Sequence, residues 1–169
     1  ALDRVKLDDA WKQYHDLDAR RHLPIPLWRT RRALENKLVA AGMAPILDYR
    51  NNDSPSSYEN QWKQAAAYFA KALELDRSDK AVKGEMRLCE GHLARIQAQY
   101  QSRTAKGNAA RTRYQNQAAA KFREAADLLP KTPDPYLGLA RLYAYDLNDM
   151  ERAQQALEKA RDYGHPLGR

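Results

Sequence analysis

Apolar residues recur along most of the chain at three- and four-residue intervals, the spacing that lines one face of an α-helix. Leu7, Trp11, Tyr14 and Leu17 predict a first helix over about residues 3–20. His22-Leu23-Pro24-Ile25-Pro26 breaks it, because each proline favours extended backbone in the residue before it. A second helix is expected from about Leu27 to Ala41, with Leu34 and Leu38 inward and Gly42 as its stop. Pro45 then opens a short helical piece through Tyr49, and Asn51 to Ser57 reads as a loop.

From Tyr58 the pattern strengthens. Trp62, Ala65, Phe69, Ala72 and Leu73 line a helix ending near Leu75. Asp79 can cap the next, whose seam is Val82, Met86, Cys89, Leu93, Ile96 and Tyr100. Ala118, Phe122, Ala125 and Leu129 follow, closed by Pro130. Asp134 is expected to cap a helix that has Pro135 at its first position and Tyr136, Leu139, Ala140 and Tyr143 inward. Asp149 starts the last helix, with Ala153, Leu157 and Ala160 inward, and Gly164 and Pro166 end it.

Composition agrees with helices. The 169 residues include 28 alanines against three valines and three isoleucines. The β-branched residues that strands favour are scarce, and no sustained alternation of period two occurs. At 43% hydrophobic and 30% charged, the chain has the apolar content for a core.

Three helices share a small-x3-large-x2-small core: Ala65, Phe69, Ala72; then Ala118, Phe122, Ala125; then Ala153, Leu157, Ala160. Small positions let helices approach and large ones fill the space between them. Before the last copy stand Tyr136, Leu139, Ala140 and Tyr143. This arrangement resembles the tetratricopeptide repeat, with Tyr136 at the Trp position, Leu139 at the Leu, Ala140 at the Gly and Tyr143 at the helix A tyrosine. Ala153, Leu157 and Ala160 match helix B after one extra residue in the turn, and Pro130 matches the proline ending the preceding unit. The resemblance implies an all-α stack of antiparallel helical hairpins, an α-solenoid. It covers about residues 58–164, and residues 1–57 are expected to form N-terminal helices, a degenerate or capping repeat. The first two cores are separated by more than one repeat length. One hairpin, over about residues 80–129, is therefore expected to be elongated, with its tip near Lys106-Gly107-Asn108; the alternative is a flexible loop over about residues 102–113.

The resemblance also implies a protein or peptide partner on the concave face. The matching groove residues are Leu137, Arg141, Ala144 and Tyr145 on the last unit, and Lys83 and Arg87 on the preceding one. The family's two-carboxylate clamp needs a Lys, Asn and Arg set that cannot be traced here.

The net charge is +7. Arg103, Lys106, Arg111, Arg113, Lys121 and Arg123 fall in the long hairpin, with no acid between residues 101 and 123. A run of one sign points to an acidic protein segment or anionic lipid, or it solubilises a helix pair. Nucleic acid is disfavoured, since only Tyr100 and Tyr114 could stack there. Catalytic or metal chemistry is not indicated. His15, His22, His92 and His165 have no partners at ligand spacing, and no cofactor motif occurs. Cys89 and His92, three residues apart, read as core rather than as a nucleophile pair. Asn51-Asn52-Asp53 is a sparse oxygen set for calcium. No run is long and apolar enough to span a membrane. A chain opening on Ala1 is expected to have lost an upstream segment, which leaves cytoplasmic and extracytoplasmic locations open. The expected function is a non-enzymatic protein-interaction module; the alternative is a structural or assembly subunit of a larger, membrane-associated complex.

Overall fold

The computed structural model describes residues 2–19, 27–51, 58–101 and 104–165. Among these residues the elements are helical: α1 (Leu2–Ala19), α2 (Trp28–Asn51), α3 (Glu59–Leu75), α4 (Lys80–Gln99), α5 (Ala105–Leu128), α6 (Asp134–Arg141), a π-helical turn (Leu142–Asp146) and α7 (Met150–Asp162). Each helix packs on the next in sequence, and the α4–α5 pairing is the most extensive. The core runs from Tyr14 through Phe69 and Phe122 to Ala160.

Large side chains seated on glycines set the helix spacing. A Cβ on Gly42 of α2 would lie 2.7 Å from Cζ of Phe69 on α3. Phe122 of α5 is wedged between Gly91 of α4 and Gly138 of α6, where a Cβ would stand 2.6 Å and 2.7 Å from its ring. Both phenylalanines are completely buried. Close approach of this kind places large against small across helix interfaces, so dispersion contacts are made without voids.

The capping chemistry follows the local sequence. Asp79 accepts a hydrogen bond from the Val82 N–H at 3.0 Å, and Asp149 accepts one from Arg152 at 3.0 Å. Gly164, at φ +93°, ends α7. Its N–H donates to the Arg161 carbonyl, and the His165 N–H donates to Ala160, the paired pattern of a Schellman motif.

Four expectations are corrected. The second helix does not stop at Gly42: α2 is continuous through Pro45 to Asn51. Buried Leu34, Leu38, Ile46 and Tyr49 keep one inward stripe on both sides of the proline, and that burial outweighs the roughly 3 kcal/mol of a mid-helix proline. The α4 helix ends at Gln99 and α5 starts at Ala105, where the Thr104 hydroxyl caps it by accepting from the Gly107 N–H at 3.2 Å. Lys106-Gly107-Asn108 therefore belongs to the first turns of α5, and neither the late tip nor the long loop is present. Asp134 does not cap α6, because Arg50 takes both of its carboxylate oxygens. Leu157 is 37% exposed, since α7 turns Ala153, Ala156 and Ala160 inward instead. The breaks at His22 to Pro26 and Asn52 to Ser57, and the stop at Pro166, lie outside the described residues.

Candidate functional site

The α6–α7 hairpin leaves an open groove of about 480 Å³. Leu137, Ala140 and Ala144 line it from α6 and the π turn, and Ala153 and Leu157 line it from α7. Tyr145 and Met150 stand at its edge, 78% and 66% exposed. The small residues on both walls leave room for another backbone to approach.

The π turn builds this edge. The Leu147 N–H donates to the Leu142 carbonyl at 3.1 Å, five residues back, and Asn148 follows with φ +52°. The turn is clamped from two helices. Gln115 of α5 donates to the Asp146 carbonyl at 2.8 Å, and Arg95 and Gln99 of α4 hold its carboxylate. With Asp146 fixed against α4 and α5, Tyr145 beside it is left facing solvent.

The predicted groove residues divide between locations. Leu137 is buried in the groove wall. Arg141 also lines the groove, but its guanidinium lies 4.1 Å over the Tyr49 ring and donates to the Tyr49 carbonyl at 3.1 Å, which ties α6 to α2. Tyr145 is exposed at the edge. Lys83 and Arg87 are not part of this lining. Lys83 is exposed on α4. Arg87 instead joins an ion-pair cluster toward α5, with Glu90 at 2.7 Å and Glu124 at 3.0 Å. The hydrogen bond to Glu90 raises its pKa further.

Three of the five described residues of the predicted basic patch are held by other groups of the chain. Lys121 bonds Glu90 and Glu124 at 3.1 Å each. Arg111 donates to the Gln101 carbonyl at 2.9 Å, across the hairpin tip. Arg123 donates to the Tyr143 hydroxyl at 2.8 Å. Lys106 and Arg113, seven positions apart, share the solvent face of α5, Arg113 lying 5.1 Å over the Tyr114 ring. Arg103 lies outside the described residues.

Buried polar groups gather where α2, α4 and α6 meet. The Arg50 guanidinium of α2 grips Asp134 of α6, its Nε donating at 2.7 Å. Glu85 of α4 is buried nearby with Oε2 unpartnered, and burial, with Asp134 adding to it, pushes its pKa up to about 7. His92 is stacked 3.9 Å from Trp62, with Tyr49 and Phe122 against its edges. Burial, then Arg95 and Arg141, holds its pKa well below the ordinary value, so the imidazole is neutral. Burial pushes the Cys89 thiol up, so no thiolate forms near neutral pH. Among the described residues no group of three or more His, Cys, Asp or Glu could hold a metal ion, and no helix is long and apolar enough to cross a membrane.

Sequence reasoning missed Gly91 and Gly138 as seats for Phe122, and Arg50, Gln115 and Asp146 as fixed polar groups. Glycine inside a strong helical pattern is itself a signal of close packing. A polar partner 84 residues away, as Arg50 has, leaves no local trace. Compared with known protein families, curated proteins and solved structures, the chain matches none.

Proposed function

We propose that the chain is a non-enzymatic protein-interaction module of tetratricopeptide type, and that the α6–α7 groove receives a helix or extended segment of a partner protein. One observation carries this reading: the C-terminal hairpin keeps an apolar groove open and holds Tyr145, Met150 and Leu157 at the surface beside it. In a stacked array each hairpin covers the exposed face of its neighbour. Among the described residues nothing fills the α6–α7 groove, which offers the same complementary surface to another chain. The separation of Ala118 and Ala153 exceeds the 34-residue period by one. The π turn between them can absorb that extra residue. Lys106 and Arg113 at the far hairpin add a second contact that favours a partner with acidic residues.

A photo-crosslinking side chain placed at Tyr145 or Met150 in cells of the source organism tests this reading. A discrete protein adduct at both positions is expected, absent from the exposed control Gln13 on α1 and abolished by Leu157→Arg. The same adducts at Gln13 would refute it.

One feature favours a second reading, an assembly subunit docked permanently in a larger complex. The Trp28 indole at the start of α2 is 62% exposed, with the Arg29 guanidinium 5.1 Å from its ring centroid. An exposed tryptophan is a frequent anchor of stable interfaces.

A further inference from the structure

A second cleft, of about 430 Å³, lies between α5 and the α6–α7 hairpin. It shares no lining residue with the α6–α7 groove. Its floor is Leu139, Tyr143 and Ala156, all buried, with half-buried Tyr136 alongside.

Three cations from two helices converge on this floor. Arg123 of α5 donates to the Tyr143 hydroxyl at 2.8 Å. The Arg152 guanidinium of α7 lies 5.2 Å from the centroid of the same ring, and Lys159 Nζ lies 5.7 Å from that of Tyr136. Arg152 keeps Asp149 on its Nε at 2.7 Å, so that cation is partly neutralised. The one carboxylate in the lining is Asp127, on the rim. Like charges gathered over a low-dielectric floor focus a positive potential into the cleft.

We infer that the cleft between α5 and the α6–α7 hairpin binds an acidic peptide segment, one apolar side chain of which sits on the tyrosine-leucine floor. Charge complementarity calls for an anionic occupant. The rest of the lining favours a peptide over a bare phosphate group. A phosphate would leave the apolar floor uncovered and would meet Asp127 as a like charge. A peptide fills the floor with an aliphatic side chain and directs flanking carboxylates at Arg123, Arg152 and Lys159. Its backbone N–H and C=O groups find an acceptor in Asp127 and both partners in the Gln155 amide. The site lies on a different face of the hairpin from the groove of the proposed function, and it stands whether or not that groove is used.

The test uses fluorescence anisotropy and amide chemical shifts with a labelled peptide carrying one leucine between glutamate triplets. Binding is expected, with shifts at Tyr136, Gln155 and Lys159. Arg123→Gln combined with Lys159→Gln should weaken it roughly tenfold. The exposed variants Lys12→Gln on α1 and Lys37→Gln on α2 should leave it unchanged. The single variant Lys159→Gln guards against loss of folding, because this side chain is exposed; it should still weaken binding measurably. Equal affinity for the glutamine version of the peptide would overturn the inference. So would unchanged affinity in the double variant, or binding only to inorganic phosphate or to phosphatidylserine vesicles.

Discussion

Arg50 and Asp134 lie 84 residues apart in the chain and meet through two charge-assisted hydrogen bonds, one of them at 2.7 Å. Their contact ties the C-terminal end of α2 to the first turn of α6 and spans α4, which carries the buried Glu85. A second link runs parallel to it, from Arg141 to the Tyr49 carbonyl. Together they hold the C-terminal end of α2 against α6.

The two halves of this pair should not be equally costly to remove. The Asp134 side chain is 2% exposed and the Arg50 side chain 29%. Arg50→Met strands a buried carboxylate and should cost about 3 kcal/mol. Asp134→Asn leaves a cation that can turn to solvent and should cost about half as much. Urea unfolding of both variants measures this, and equal losses would contradict the asymmetry.

Glu85 should make stability fall with rising pH. Its folded pKa of about 7 lies above the ordinary 4.5, so the folded chain binds the proton more tightly than the unfolded one. Its stability contribution is therefore fully present below about pH 4.5 and is lost as pH rises through about 7. The groups facing it are Arg50 from α2 and Asp134 from α6. Glu85→Gln should match the native protein near pH 4.5 and exceed it by on the order of 3 kcal/mol at pH 8. A stability difference that does not change with pH would exclude this role for Glu85.

Gly91→Ala should destabilise the protein despite alanine's better helix propensity. The new methyl would meet the Phe122 ring at 2.6 Å, and overpacking should cost about 1–3 kcal/mol. Phe122→Ala alone should cost about 3–5 kcal/mol. Combining Gly91→Ala with Phe122→Leu should recover part of the loss, which a double-mutant cycle in urea would detect.

The helices were legible in the sequence where apolar spacing was regular. Phe69 and Phe122 stand out by their flanking alanines, and both are buried as the triplets require. Leu157 carries the same local signature and is exposed, because burial depends on a covering neighbour that spacing cannot reveal. Gly42 and Pro45 look like breakers on a local reading. Phe69 needs the glycine, and packing on both sides of the proline keeps the helix whole. Asp134 has the sequence context of a cap, and only the three-dimensional arrival of Arg50 assigns it elsewhere. Of the expected site, Leu137, Arg141 and Tyr145 do line one groove, whereas Arg87 and Lys121 are drawn into ion pairs.

Charge reversal at the hairpin face should change binding without changing folding. Lys106→Glu with Arg113→Glu should shift unfolding stability by no more than about 0.5 kcal/mol. The same pair should slow association with an acidic partner and weaken its dependence on salt. Stopped-flow association at two ionic strengths checks this.

The α6–α7 groove as a docking surface is the claim on which the functional reading depends. Its most direct test is calorimetric titration of the crosslinked partner against the native protein and Leu157→Arg. The substituted side chain already faces solvent, so folding should be retained. The account predicts a loss of about 2 kcal/mol in binding free energy, near thirtyfold in Kd. Undiminished affinity in the folded variant would contradict it.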